Sequence, residues 1–189
     1  MPTAKKSVLW TIVLVVLVLL AASVTASAQQ REMYQATALG QATDLGKMVS
    51  VNIIIDSYST PEERQVLIEA FNQGRNEALV NALTKMPSRG RIAITGTLGY
   101  DIKFVRVIPT PTGKKIRMVT DRPLRFRETW RDDRSTDYTL SVLELEISDA
   151  KDQSGGVLLP ACKLLISKEG ELTVEAYNNP WKLTNVMAR

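Results

Sequence analysis

The chain has 189 residues, 44% of them apolar and 23% charged, with a formal net charge of +4. That length holds one ordinary domain with a real core, and the composition excludes a wholly disordered chain. There is no histidine, which removes the commonest general base, the commonest metal ligand and the physiological-pH switch.

Lys5 and Lys6 belong to an expected leader; without them the balance is 22 − 20 = +2. A near-neutral domain offers little steering charge for nucleic acid, so no nucleic-acid partner is expected. The single cysteine, Cys162, excludes an intrachain disulfide. It reads as a small buried side chain on a strand, with a reactive or intermolecular thiol as the alternative.

Residues 1–28 follow the secretory pattern: Lys5 and Lys6, an uncharged apolar run from Val8 to Ala22, then Ala26-Ser27-Ala28. Cleavage between Ala28 and Gln29 is expected, with export to the periplasm or beyond. The alternative is an uncleaved anchor, the one route by which this chain would meet a membrane. Residues 29–47 are polar with no clear period, and are expected to form a flexible arm. The remainder, 48–189, is expected to be a single α+β domain.

Met48 to Tyr58 reads as a strand; its Ile53-Ile54-Ile55 run suits a central position or one covered on both sides. Thr60 to Met86 is the strong helical signal. Thr60, Pro61 and Glu63 make a capped start, and Leu67, Ala70, Phe71, Ala78, Ala82 and Met86 recur at helical steps, with Leu79 and Leu83 beside them. Gly74, flanked by Asn72, Gln73 and Asn76, is a point where the segment can break into two short helices.

Beyond it the pattern alternates. Strands are expected over 91–97, 100–108 and 115–120, with Pro109 to Gly113 as a loop because two prolines cannot continue a ladder. Residues 121–134 hold five arginines in an irregular loop, with a short strand near Leu124 to Glu128. Tyr138, Leu140 and Val142 alternate, but the parity then shifts to Leu143, Leu145 and Ile147, which predicts a β-bulge near Val142-Leu143. Strands follow over 157–167, with Pro160 marking an edge or kink, then 172–176 and 181–186. The expected fold is a curved, mostly antiparallel sheet of about seven strands packed on one helix or helical hairpin. A β-sandwich with a capping helix is the alternative.

Three constellations could carry chemistry. In the first, Arg122, Arg125, Arg127 and Trp130 could clamp an anion, or pair with Glu128, Asp132, Asp133 and Asp137 as a solvated loop. In the second, Arg106 falls on the same face as Tyr100, Ile102, Phe104 and Ile108. It would pair there with Asp101, Asp121 or Glu144, or hold an anionic ligand between helix and sheet with Tyr100 and Tyr138 as liners. In the third, acids such as Asp101, Asp121, Glu144 and Glu146 could supply a carboxylate pair for glycoside hydrolysis, at poor specificity. No calcium loop, P-loop, dinucleotide fingerprint or serine-nucleophile motif is present, and no catalytic residue, metal or cofactor is expected.

Ile53-Ile54-Ile55-Asp56, the run Arg91 to Asp101, Ile108 to Gly113 and Asn179-Pro180-Trp181-Lys182-Leu183 together resemble a family of exported bacterial proteins that carries no assigned activity. The likeness implies export and one shared domain, and it brings no site residues. The expected function is therefore an exported, non-catalytic binding or interaction protein, with a small anionic ligand or a protein as partner. A carboxylate-based hydrolase is the second reading. An envelope component assembling through the strand edges at 157–167 or 181–186 is the third.

Overall fold

The computed structural model describes residues 31–124, 138–150, 153–166, 172–177 and 179–189. Its first element lies where an arm was expected. β1 (Glu32–Leu39) sits between β2 (Met48–Ile55) and β10 (Trp181–Ala188), pairing antiparallel with both. The flexible-arm expectation for 29–47 is thus overturned from Glu32 onward. The inward side chains of β1 are Tyr34, Ala36 and Ala38, and two small alanines make a weak hydropathy alternation although all three are buried. A single 3-10 turn at Ala42–Asp44 leads into β2.

The remaining strands are β3 (Gly90–Ile94), β4 (Tyr100–Ile102), β5 (Phe104–Thr110), β6 (Gly113–Thr120), β7 (Leu140–Ser148), β8 (Gly155–Ile166) and β9 (Leu172–Ala176). The sheet order is β4-β3-β2-β1-β10-β8-β7-β6-β5, with β9 on β8, and every pairing is antiparallel. Consecutive strands β4 and β5 stand at opposite ends of that order, so the sheet curls into a nearly closed barrel. Across the seam Lys103 N–H donates to the Val119 carbonyl at 2.9 Å. The α+β antiparallel class is as expected; ten strands replace about seven, through β1 and through division of the 100–108 strand at Lys103.

The main core is the barrel interior, and neither a helix-covered sheet face nor a sandwich describes it. Ile53, Ile55, Ile92, Ile102, Ile116, Met118, Leu145, Leu158 and Leu183 fill it, each under 2% exposed. One end is closed by polar groups. Glu32 of β1 and Lys114 of β6 lie on opposite walls yet form an ion pair of 2.9 Å. The Tyr34 hydroxyl donates to Glu32 at 2.5 Å, and the Tyr58 hydroxyl donates to it as well.

The helical segment α1 (Pro61–Lys85) lies outside the barrel. Thr60 caps it as expected: its hydroxyl accepts from Glu63 N–H at 3.2 Å while Glu63 accepts from Thr60 N–H at 3.0 Å. A straight helix of these 25 residues would run about 37 Å. Yet Arg89, four residues past the end, pairs with Glu63 and donates to Ser57 Oγ at 3.0 Å. Four extended residues recover only about 14 Å, so the chain must reverse within the segment. It does so at Gly74 (φ −144°, ψ 23°) and Arg75 (φ 54°, ψ −139°), and α1 is a tight helical hairpin.

The hairpin packs on the outer face of β5–β8. Leu67 and Phe71 from its first half and Leu79 and Leu83 from its second form a satellite core with Leu140, Val142 and Cys162. This second core corrects the bulge prediction. β7 pairs with β6 in unbroken register from Ser141 to Ser148. Leu140 and Val142 face the hairpin, whereas Leu143 and Leu145 face the barrel interior, so both faces are apolar at one point without any inserted residue. The extra residue is in β8: Leu140 opposes Cys162 but Val142 opposes Leu159, which places the bulge at Pro160-Ala161. There the ring costs no ladder bond, and the Pro160 carbonyl accepts from the buried Ser141 hydroxyl at 2.6 Å.

Two further expectations change. Pro109 continues β5 opposite Lys114, which is tolerated because β5 ends the strand order and its outer side needs no N–H. The edges proposed for assembly are partly taken up: β10 pairs with β1 and, over Trp181–Leu183, with β8, while β8 pairs with β7 and β10 up to Cys162 and with β9 beyond it. The strand expected near 124–128 lies outside the described residues beyond Leu124.

Candidate functional site

Between the hairpin and the outer sheet face runs a groove of about 510 Å³. Its floor is Phe104 of β5, Val119 of β6, Leu140 and Val142 of β7, Leu164 of β8 and Val174 of β9; its roof is Leu67, Ile68, Phe71, Leu79 and Leu83 of α1. These residues meet because strand alternation and helical period each aim one set at the same space.

The polar side chains at the groove are Arg64, Asn72, Arg106 and Arg117, and no acid lines it among the described residues. Arg106 and Arg117 are cross-strand partners, so they stand side by side at one end. Arg64 lies one helical turn before Leu67 and Ile68, on the same stripe. Arg117 donates to Glu144 at 2.5 Å. Among the described residues, neither Arg64 nor Arg106 has an ion-pair partner. The expected structural partners of Arg106 are engaged elsewhere: Asp101 with Arg91 at 3.6 Å, Asp121 with Arg122 at 3.8 Å, and Glu144 with Arg117 and Lys115.

Arg106 therefore faces the helix-covered groove, as its parity predicts, but remains solvent-exposed at the groove's mouth. The tyrosines predicted beside it are elsewhere. Tyr100 packs against the barrel core, with the Arg122 guanidinium 5.8 Å from its ring centre. Alternation breaks at Lys103, which turns Ile102 inward and Phe104 outward, and this separates Tyr100 from Arg106. Tyr138 sits at β9: its hydroxyl donates to Glu175, Lys163 lies 4.8 Å above its ring and the Tyr177 ring packs tilted against it with centroids 5.1 Å apart. The Glu175 hydrogen bond raises the Tyr138 pKa above its ordinary value. Arg125, Arg127, Trp130, Ala28 and Gln29 lie outside the described residues.

Sequence reading passed over Arg64 and Arg117, and both carried a signal. Arg64 shares the helical stripe, and Arg117 shares the outward parity of Lys115 and Val119. In the sequence Asn76 reads only as a flank of the break at Gly74, yet its amide extends the β8 ladder past the start of β7. Asn76 Nδ2 donates to the Leu164 carbonyl at 2.7 Å, and Leu164 N–H donates to Asn76 Oδ1 at 2.8 Å. This pair of bonds anchors the hairpin tip beside the groove.

The Glu32 cluster is a second polar constellation. Burial works against the Glu32 carboxylate, but the Tyr34 and Tyr58 hydroxyls and Lys114 outweigh it and hold the pKa below the ordinary value. Burial, then the bond to Glu32, raises both tyrosines. Every member is satisfied, so its evident work is to tie β1 to β6 at one end of the barrel. Cys162 is fully buried, and burial pushes its thiol up to about 12, the state of an inert core side chain.

Among the described residues no three acids or cysteines are placed to hold a metal ion, and no helix is long and apolar enough to cross a membrane. Comparison with protein-family models, with curated proteins and with solved structures finds no match to this chain.

Proposed function

We propose that this chain is an exported, non-catalytic binding protein that holds a small anionic ligand in the groove between α1 and the outer face of β5–β8. One observation carries the reading: among the described residues an apolar groove of about 510 Å³ is lined by three guanidiniums and no carboxylate, Glu144 lies beside it paired with Arg117, and Arg64 and Arg106 lack ion-pair partners. A site with unopposed arginines at the end of an apolar surface is complementary to an anion with an apolar body. Export rests on the leader pattern of residues 1–28 and on the resemblance to exported bacterial proteins.

The hydrolase reading has less support. It needs two facing acids with a substrate between them, whereas Asp101, Glu144 and Glu146 each sit in an ion pair on the outer wall. Native mass spectrometry of the protein isolated from its own compartment tests the proposal. A retained anionic mass in the wild type, lost in Arg106→Ala with an unchanged circular dichroism spectrum, is the expected result. Equal ligand occupancy in both proteins overturns it. The same spectrum reports whether the chain begins at Gln29.

A further inference from the structure

We infer that the groove's ligand is a single-chain anionic amphiphile, its acid group at the Arg106–Arg117 end and its alkyl chain running toward the hairpin tip. The inference rests on the binding reading above and adds the ligand's shape and direction.

Polarity along the groove carries it. The strands that floor the groove are in register, so rows can be followed along it. Arg106 opposes Arg117, and Arg117 opposes Glu144; two residues on, Phe104 opposes Val119 and Val119 opposes Val142. The next outward position on β7 is Leu140, opposite Cys162, and two residues farther along β8 is Leu164, opposite Val174 of β9. Charge thus occupies the first row only, and every later row is apolar. The distance from the Arg117 row to Leu164 is six strand residues, about 20 Å. The roof opens in the same order, since Arg64 precedes Ile68 and Phe71, and it ends at the tip on Asn72 and on Arg75, whose guanidinium lies 5.7 Å from the Phe71 ring centre. A compact polyanion would leave the apolar-lined volume of the groove unfilled, and a neutral hydrocarbon would leave the guanidiniums unused. A chain with one acid end satisfies both.

The barrel interior does not compete for such a chain. Its side chains fill it, and the Glu32–Lys114 pair closes one end. The groove's far end is different: Val174 is 43% exposed, so a chain can extend past the sheet.

Isothermal titration with saturated alkanoates from butyrate to laurate, below micelle-forming concentrations, tests the inference on the full exported protein. Affinity should rise by up to about fourfold for each added methylene that the groove covers. Dodecanol, which has the chain and lacks the charge, should bind at least tenfold more weakly than laurate. Arg64→Ala/Arg106→Ala should lose that advantage while its dodecanol affinity stays the same; both side chains are exposed, so the variant keeps its fold. Butyrate binding as tightly as laurate would end the amphiphile inference and leave the anion site standing. No binding of any alkanoate, together with a native spectrum free of any anionic ligand, would end both.

Discussion

Arg75 is the residue where local chemistry and local geometry disagree most. Its φ of 54° with ψ of −139° is a conformation suited to glycine, while Gly74 beside it keeps a negative φ. Such strain costs about 1–3 kcal/mol. Arg75→Gly removes it but gives up the guanidinium contact with Phe71 at 5.7 Å and loosens the unfolded chain, each worth about 0.5–1 kcal/mol. The net expectation is a small gain of about 0.5 kcal/mol in denaturant melts. Gly74→Ala should go the other way, because a β-carbon there meets the Ala78 Cβ at 2.8 Å.

Glu32 gives the residue scale its pH dependence. Its folded pKa is lowered, so its contribution is present above the unfolded value of about 4.3 and is lost as pH falls through the folded value. Tyr34 and Tyr58 are raised, so theirs is present below about 10 and is lost as pH rises through their folded values. Glu32→Gln should cost about 2 kcal/mol at neutral pH and flatten the acid limb of a stability–pH curve below about pH 4.3. An acid limb identical to wild type would show that other carboxylates dominate it.

At the scale of elements, the helical hairpin is the least secured part of the described fold. It is held by the satellite core and by polar ties at its base and tip, whereas β1 and β2 are inside a continuous ladder. Its amides should therefore exchange with deuterium well before those of β1 and β2. Asn76→Ala would leave the Leu164 N–H and carbonyl unpaired, costing about 1–3 kcal/mol, and would speed exchange in residues 72–80 first.

Much of this level was legible in the sequence. The capping residues and the glycine foretold a helix that breaks, and the alternating runs foretold most strands. What escaped had physical causes. β1 was hidden because Ala36 and Ala38 are buried without being strongly apolar. β7 suggested a bulge because its two faces meet two different cores, which no single periodicity expresses. The Arg106 groove was half legible: strand parity aimed Arg106 at the helix-covered face, but the change of face at Lys103 removed Tyr100 from its company.

For the whole molecule, these features describe a filled barrel that serves as scaffold and an exterior groove that is the proposed binding site. The barrel core is closed and polar groups cap it, so it supplies rigidity to the strands that present Arg106 and Arg117. Ligand affinity should fall with added salt, because the guanidiniums are exposed and screened. The two cores carry different consequences. Leu145→Ala, inside the barrel, should cost about 2–5 kcal/mol of stability and leave groove chemistry intact. Leu83→Ala, in the satellite core, should cost stability and ligand affinity together.

The most direct test is a methyl-resolved NMR titration of the wild-type protein with laurate. The account predicts saturable shifts at Leu67, Leu83, Leu140, Val142 and Leu164, with Ile53, Ile92 and Leu183 unmoved. Shifts concentrated on the barrel-interior methyls, or none at the groove, would contradict it.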